Sequence, residues 1–244
     1  MITLKSCPNC DSLRMTEYKT MPVKSLVVEI VPGVKVDAVV ITRYCACKDC
    51  NLIFQNPRLS DKELDLYYGT GYYRRTINPP PEGMDKGELN RAKIDAGIIG
   101  KYIGPVTSHL DIGCGHGYLL DEVGATLKVG IESDVDYVKV KSIEVYSDAR
   151  EVPYKKFDLV TMVHVLEHLP HPLNFLKSMK KLVNKNGSLV IEVPSWKTRG
   201  GPFGFAHLHF FETDVLKLMC QRVGLYVEFV EFTPHLVLIC RLDH

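Results

Sequence analysis

Apolar positions fall in two rhythms along this chain. From residue 108 onward, short apolar runs alternate with stretches of helical spacing. The runs at 109–112 (HLDI), 127–132 (LKVGIE), 142–146 (SIEVY), 157–163 (FDLVTMV) and 188–193 (SLVIEV) are too short for helices and are predicted to be strands. Segments 118–123, 172–183 and 212–223 carry helical spacing, the last ending at Gly224, a residue suited to a helix C-cap. Two final runs, LYVEFVEF (225–232) and HLVLICRL (235–242), flank Thr233-Pro234 and read as an antiparallel hairpin. Strand–helix alternation closed by a hairpin predicts an α/β domain with a mostly parallel seven-stranded sheet.

The first 50 residues follow another rule. VKSLVVEIV (23–31) and VKVDAVVITRY (34–44) read as two strands turning at Pro32-Gly33. On either side stand Cys7-Pro-Asn-Cys10 and Cys47-Lys-Asp-Cys50. A two-residue gap lets both thiolates of a pair face one ion, and two such knuckles make a closed S4 site, the chemistry of structural zinc. The arrangement predicts a zinc ribbon, with Cys7, Cys10, Cys47 and Cys50 as ligands and Cys45 as an alternative third ligand. Cys114, Cys220 and Cys240 lie in apolar or Gly-rich contexts and are expected to be buried, inert thiols.

Between the two patterns, Ser60 and Glu63 have capping-box spacing. Tyr67, Tyr68, Tyr72 and Tyr73 then crowd a Gly-containing turn, and NPPPEGMDKG (78–87) reads as a loop. The tyrosines suit either the join between domains or a substrate mouth. ELNRAKIDAGIIGKY (88–102) has helical spacing. The expected organisation is a zinc ribbon at 1–56, a helical, tyrosine-rich linker at 57–87 and the α/β domain at 88–244.

Composition changes this picture little. With 244 residues, 45% hydrophobic and 24% charged, and a formal net charge of +1, the chain gives no electrostatic case for nucleic acid or an anionic membrane. No apolar run reaches the length of a membrane span, and the N-terminus lacks a signal-peptide layout, so the expected compartment is the cytoplasm. There, clustered cysteines argue for metal over disulfides.

Two stretches carry candidate chemistry. In SHLDIGCGHG (108–117) a strand runs into Gly113, Gly115 and Gly117 and then a helix, so the backbone turns tightly and can approach a ligand. Glu132 ends the next strand, near the spacing expected of a carboxylate that binds a ribose. Together they predict a nucleoside ligand. HVLEHLPH (164–171) spells the H-x-x-E-H of some zinc hydrolases. Here, though, His164 ends a buried strand and Pro170 and Pro172 leave room for about one helical turn, so a hydrolase metal site is not expected.

At these residues the chain resembles the class I S-adenosylmethionine-dependent methyltransferases, with a Rossmann-like fold. LDIGCGHGYLL is similar to their first motif, VGIESD to the second, SDAREVPY to the third and FDLVTMVHVLEHLPHP to the fourth; KKLVNKNGSLVIEVPS is similar to their late leader-then-strand segment. CPNC, CKDCNLIFQNP and HLHFF resemble a zinc-ribbon subgroup that acts on nucleotide-linked sugars or natural products. The resemblance implies that Gly113 and Gly115 meet the methionine part of S-adenosylmethionine. It further implies that Asp111 favours the ammonium, Glu132 the ribose hydroxyls and Asp148 the adenine amino group, although Asp148 also suits a helix N-cap. Val163 and His164 would sit near the sulfonium. The implied reaction is methyl transfer to an O- or C-position of a small molecule, a sugar or sugar-containing metabolite. His164, His207 and His209 are the favoured candidates for its general base, with His168 a further one, and Trp196 with 197–205 would form a lid. The alternatives are a nucleic-acid methyltransferase gripping its substrate with the ribbon, and a cofactor-binding scaffold without chemistry.

Overall fold

The alternating runs of the second half become neighbouring strands, and the cysteine-framed hairpin becomes a second sheet beside them. The computed structural model describes residues 1–31, 34–68, 84–195 and 207–243. In chain order, β1 (Met15–Val31), β2 (Val34–Cys47) and β3 (Ile53–Gln55) lead to α1 (Asp61–Tyr68) and α2 (Met84–Tyr102). Then follow β4 (Ser108–Ile112), α3 (Tyr118–Val123), β5 (Leu127–Ile131), β6 (Glu144–Tyr146) and β7 (Phe157–Val163). The chain closes with α4 (Pro172–Met179), β8 (Val183–Pro194), β9 (His209–Phe210), α5 (Thr213–Arg222), β10 (Leu225–Phe232) and β11 (His235–Leu242).

The larger sheet has seven strands in the order β10-β11-β8-β7-β4-β5-β6. The pairs β6–β5, β5–β4, β4–β7 and β7–β8 are parallel, and β11 enters antiparallel beside β8. This is the expected Rossmann-like sheet with its terminal hairpin. Its central strands read as nearly unbroken apolar runs because both faces are covered; Leu110, Leu159, Met162, Leu189 and Ile191 are fully or almost fully buried. The capping box at α1 forms, with the Ser60 amide donating to Glu63 Oε2 at 2.8 Å and the Glu63 amide to Ser60 Oγ at 3.4 Å.

Several expected elements differ: β1 begins at Met15, eight residues before the expected strand, and α2 begins at Met84, inside the expected loop. The helix from 172 gives way at Lys180 to a single tighter turn over Lys180–Leu182. NKNG (184–187), which the expected helix and strand left between them, belongs to β8, which starts at Val183. Gly187 explains the continuity: a Cβ there would lie 2.8 Å from the Asp158 carbonyl oxygen and 2.9 Å from that of Phe157, so only glycine lets β8 run this close to β7.

The smaller sheet has the order β1-β2-β3-β9. Its last strand comes from the far end of the chain: Ile53 pairs with Phe210 and Phe54 with His209. The backbone ladder therefore crosses the boundary expected at residue 56. Packing crosses it too, since Cys7, Cys47, Cys50, Leu52 and Phe54 share one buried cluster with Leu166, Phe211 and Val215. The turn at Pro32-Gly33, residues Tyr72 and Tyr73 and most of the proline-rich loop lie outside the described residues, as do Trp196 and 197–205.

Phe54 is fully buried at this junction. Phe54→Ala should cost about 3–5 kcal/mol. Chemical denaturation should show one transition for both sheets, displaced to lower denaturant; two separated transitions in the wild type would disprove a continuous core.

Candidate active site

The C-terminal ends of β4, β5 and β7 meet at the glycine loop. Gly113, Gly115 and Gly117 all have positive φ (71°, 54° and 86°). The Gly113 and Cys114 amides both donate to the Ile131 carbonyl, at 2.7 and 3.1 Å, fastening the loop to β5. A Cβ on Gly113 would stand 2.6 Å from Val165 Cγ2, so the close passage of this turn also excludes a side chain.

Asp111 lies beneath the loop, 3% exposed, and accepts the Thr161 hydroxyl at 2.5 Å. That hydroxyl has one proton to give, so the 2.8 Å contact with His109 Nε2 is a donation from the imidazole. Burial holds the His109 pKa down to about 3, which keeps the ring neutral. Burial raises Asp111 to about 7, partly opposed by the Thr161 hydrogen bond. Glu132, 4% exposed, follows β5 and accepts from the Gly115 amide at 3.1 Å and the Asp134 amide at 3.2 Å. Asp148 follows β6 but is turned to its own chain. It accepts from the Arg150 amide at 2.8 Å and binds the guanidinium with both oxygens, which holds its pKa near 2. Its N-cap role is the one visible.

The cleft above the loop is lined by Asp111, Gly113, Gly115, Val163 and His164, and on its other side by Glu88, Arg91, Asp95 and His116. The α2 residues among these were not singled out from sequence. His116 stacks on Tyr137 at 4.1 Å between ring centroids and contacts the Glu88 carboxylate through Nδ1. Asp95 is buried against Glu192; burial first and that neighbouring carboxylate second raise its pKa to about 8.

The HVLEHLPH stretch forms a strand end and one tight turn, Leu166–His168. His164 has φ 54°, a left-handed conformation that turns the chain out of the sheet. Its Nδ1 lies 3.2 Å from Glu167 Oε1 and its Nε2 3.2 Å from Glu192 Oε1. Burial alone would lower its pKa; the two carboxylates outweigh that and lift it to about 9. Glu167 is 1% exposed, and its 3.8 Å approach to His168 Nε2 places a second histidine against the same carboxylate. The His168 and His207 rings stand 4.8 Å apart, and Tyr68 Oη is 3.3 Å from His168 Nδ1. His207 lines a second cleft beside the first, shared with Arg91, Asp95, His164 and His235. His209 does not join them: it is 1% exposed, lines neither cleft, and its Nε2 bonds the Leu169 carbonyl at 2.9 Å.

A family model described as a methyltransferase domain matches residues 82–229. The chain belongs to this family. The methyltransferase domain is 32% identical over 94 residues to the ubiquinone biosynthesis O-methyltransferase of Thiobacillus denitrificans, a match covering 32% of this chain and 40% of that protein. It is 25% identical over 163 residues to the enzyme of the same name from Aromatoleum aromaticum, covering 59% and 65%. The chain thus spans less than two thirds of the length of these relatives. Among solved structures, the 1,6-didemethyltoxoflavin-N1-methyltransferase of Burkholderia thailandensis is 15% identical with a TM-score of 0.60, covering 81% of this chain and 98% of that one. Magnesium protoporphyrin IX methyltransferase of Synechocystis is 17% identical with a TM-score of 0.55, covering 75% and 100%. These two likenesses establish the fold. Among the described residues, no helix is long and apolar enough to cross a membrane.

The four cysteines converge beside the methyltransferase domain. Cys7 and Cys50 Sγ are 3.6 Å apart and Cys10 and Cys47 Sγ 3.5 Å, and all four sulfurs lie within 4.8 Å of one another. Zinc–sulfur bonds of about 2.3 Å in a tetrahedron require sulfur separations of about 3.8 Å, so the donor set fits the ion. Cys45 is not in the cluster; it stands in β2, paired with Phe54.

Asp111 yields a prediction with a definite sign. Its folded pKa of about 7 lies above the ordinary carboxylate value, so the folded form prefers the proton. Its contribution to stability is complete below about pH 4 and is lost as pH rises through 7. Asp111→Asn should therefore raise the thermal midpoint of the ligand-free protein by several degrees at pH 8, with a gain that shrinks toward pH 5. Differential scanning fluorimetry at both pH values checks this; an equal shift at both would refute it.

Proposed function

We propose that the protein transfers a methyl group from S-adenosylmethionine to a hydroxyl oxygen of a small molecule. The observation carrying this is the glycine loop flanked by buried Asp111 and Glu132 at the ends of β4 and β5, in a chain whose family is that of methyltransferase domains. The O-methyltransferase names of the curated relatives favour oxygen as the acceptor atom. The ribbon's resemblance to sugar-modifying enzymes makes a sugar or sugar-containing metabolite the first acceptor class to test.

The residues present fit the cofactor. Positive-φ Gly113 and Gly115 leave the backbone bare beside the cleft, where a methionine moiety would lie, and Asp111 would supply negative charge for its ammonium. Glu132 would exchange its amide partners for ribose hydroxyls. Asp148 would reach the adenine amino group only by releasing Arg150. Val163 and His164 would border the sulfonium end. When bound, the cofactor supplies a methyl group on a positively charged sulfur, already activated for displacement. The chain's part is then to orient the acceptor, exclude water and accept the hydroxyl proton.

His207 is our choice of base. It borders the second cleft and stacks edge-on against His168, which approaches the buried Glu167 carboxylate. His164 has a carboxylate facing each ring nitrogen, and His209 is sealed in β9, so neither offers a nitrogen to the acceptor. Structural zinc at Cys7, Cys10, Cys47 and Cys50 would fasten the ribbon edge to the shared core.

Glu132→Ala should weaken S-adenosylhomocysteine binding by calorimetry by roughly tenfold or more. His207→Gln should leave that affinity unchanged and lower turnover about 10²-fold or more. A methyl-donor assay across sugar nucleotides, phenols and generic RNA names the acceptor class; turnover on RNA alone, or on nothing with cofactor bound, defeats the reading. Elemental analysis should find zinc in the wild type and its loss in Cys47→Ser, together with a lower thermal midpoint.

A further inference from the structure

A second group of possible ligands stands between the two clefts, apart from the cysteines. We propose that His164, Glu192 and His235 form a binding site for a first-row divalent transition-metal ion, with coordination positions left open toward the acceptor cleft.

The geometry rests on three neighbouring strands. His164 follows the end of β7, Glu192 lies in β8, and His235 opens β11. The His164 amide donates to the Glu192 carbonyl at 3.0 Å, which locks the first two positions together. Thr233 fixes the third: its Oγ1 accepts from the His235 amide at 3.0 Å and its amide donates to the His235 carbonyl at 3.0 Å. Sites carried by such rigid elements hold their ligands in place.

One nitrogen or oxygen from each of the three residues lies within 4.8 Å of the others. The His164 and His235 rings are 4.3 Å apart and almost perpendicular, at 89°, so they converge without stacking. His164 Nε2 and Glu192 Oε1 are 3.2 Å apart, close to the roughly 3–3.4 Å spacing of two ligands on one ion with bonds near 2.0–2.2 Å. The two atoms are buried and lie at ion-pair distance, but outside hydrogen-bond geometry. Glu192 is 1% exposed, and a carboxylate so buried requires a compensating positive charge beside it. An ion lying between the two atoms would use both lone pairs.

The surroundings also match. Metal-binding histidines commonly donate their other ring N–H to a carboxylate; His164 Nδ1 stands 3.2 Å from Glu167 Oε1. Asp95 faces Glu192 from α2. Two imidazoles and one carboxylate suit zinc, cobalt, manganese or ferrous iron better than magnesium. His164 and His235 both border the second cleft, so the remaining coordination would fall to an oxygen of the acceptor or to water. That last clause rests on the methyl-transfer reading; the ion site does not.

The competing occupant is a proton shared between His164 and Glu192. Cobalt distinguishes them in the full chain, with the cysteine site first loaded with zinc and no methyl donor or acceptor present. Titration with Co²⁺ should produce a saturable ligand-field band without thiolate-to-cobalt charge transfer. X-ray absorption should show a nitrogen and oxygen shell with imidazole scattering and no sulfur. Glu192→Gln and His235→Gln should weaken this binding by roughly tenfold or more, while ribbon zinc and S-adenosylhomocysteine affinity stay unchanged. The site is disproved if the wild type binds no cobalt beyond the ribbon, which leaves the proton. A sulfur shell disproves it by placing the ion in the cysteines. Binding intact in Glu192→Gln but lost in His168→Gln disproves it by moving the ion to the adjacent Glu167, His168 and His207. Because cobalt is read without turnover, failure of the methyl-transfer assay leaves this result standing, and the reverse holds equally.

Discussion

A carboxylate with almost no access to water organises this molecule. Glu167 is 1% exposed, and an ionised group so placed persists only if its surroundings compensate its lost hydration. Burial pushes its pKa up, but the hydrogen bond from His164 and the histidines gathered around it prevail and hold it near 2. The same residue's backbone carbonyl accepts from the Leu208 amide at 2.8 Å, tying the tight turn after β7 to the chain entering β9. One residue thus gathers the histidines of both clefts and anchors the strand that completes the ribbon's sheet.

From there the architecture divides into two kinds of surface. On the glycine-loop side, specificity comes from bare backbone and from two acids, Asp111 and Glu132, each held by short-range donors. On the other side it comes from side chains on several distant segments: Arg91 and Asp95 from α2, His164 after β7, His207 before β9 and His235 in β11. The first surface is held in place by backbone hydrogen bonds. The second is an assembly of loop and strand ends, where one fold can accommodate different acceptors.

This division also explains what could be read before the structure was known. Strands with apolar runs, the glycine loop and the CxxC pairs are local patterns, and each emerges where its residues predict. The early start of β8 was not legible because local composition says nothing about a neighbouring strand, and Gly187 answers to the carbonyls of β7. Glu192 and His235 went unremarked because their meeting depends on β11 inserting beside β8, a fact of topology across 40 residues of chain. Arg91 and Asp95 look like ordinary polar positions of a helix until α2 is laid over the loop. His207 and His209 are the sharpest case. Two positions apart and identical in type, they separate because pairing with β3 begins at His209 and seals that ring away.

The β3–β9 pairing has a consequence for how such proteins exchange parts. An N-terminal module that supplied its whole sheet could be traded between relatives at a linker. Here the recipient chain contributes the last strand, and Phe54 and His209 face each other across the seam. A transplanted ribbon would have to bring its own His209–Phe210 counterpart, inserted more than 150 residues away, to find a matching edge. The chain around the second cleft and the cysteine-framed sheet therefore form one structural unit written in two places along the sequence.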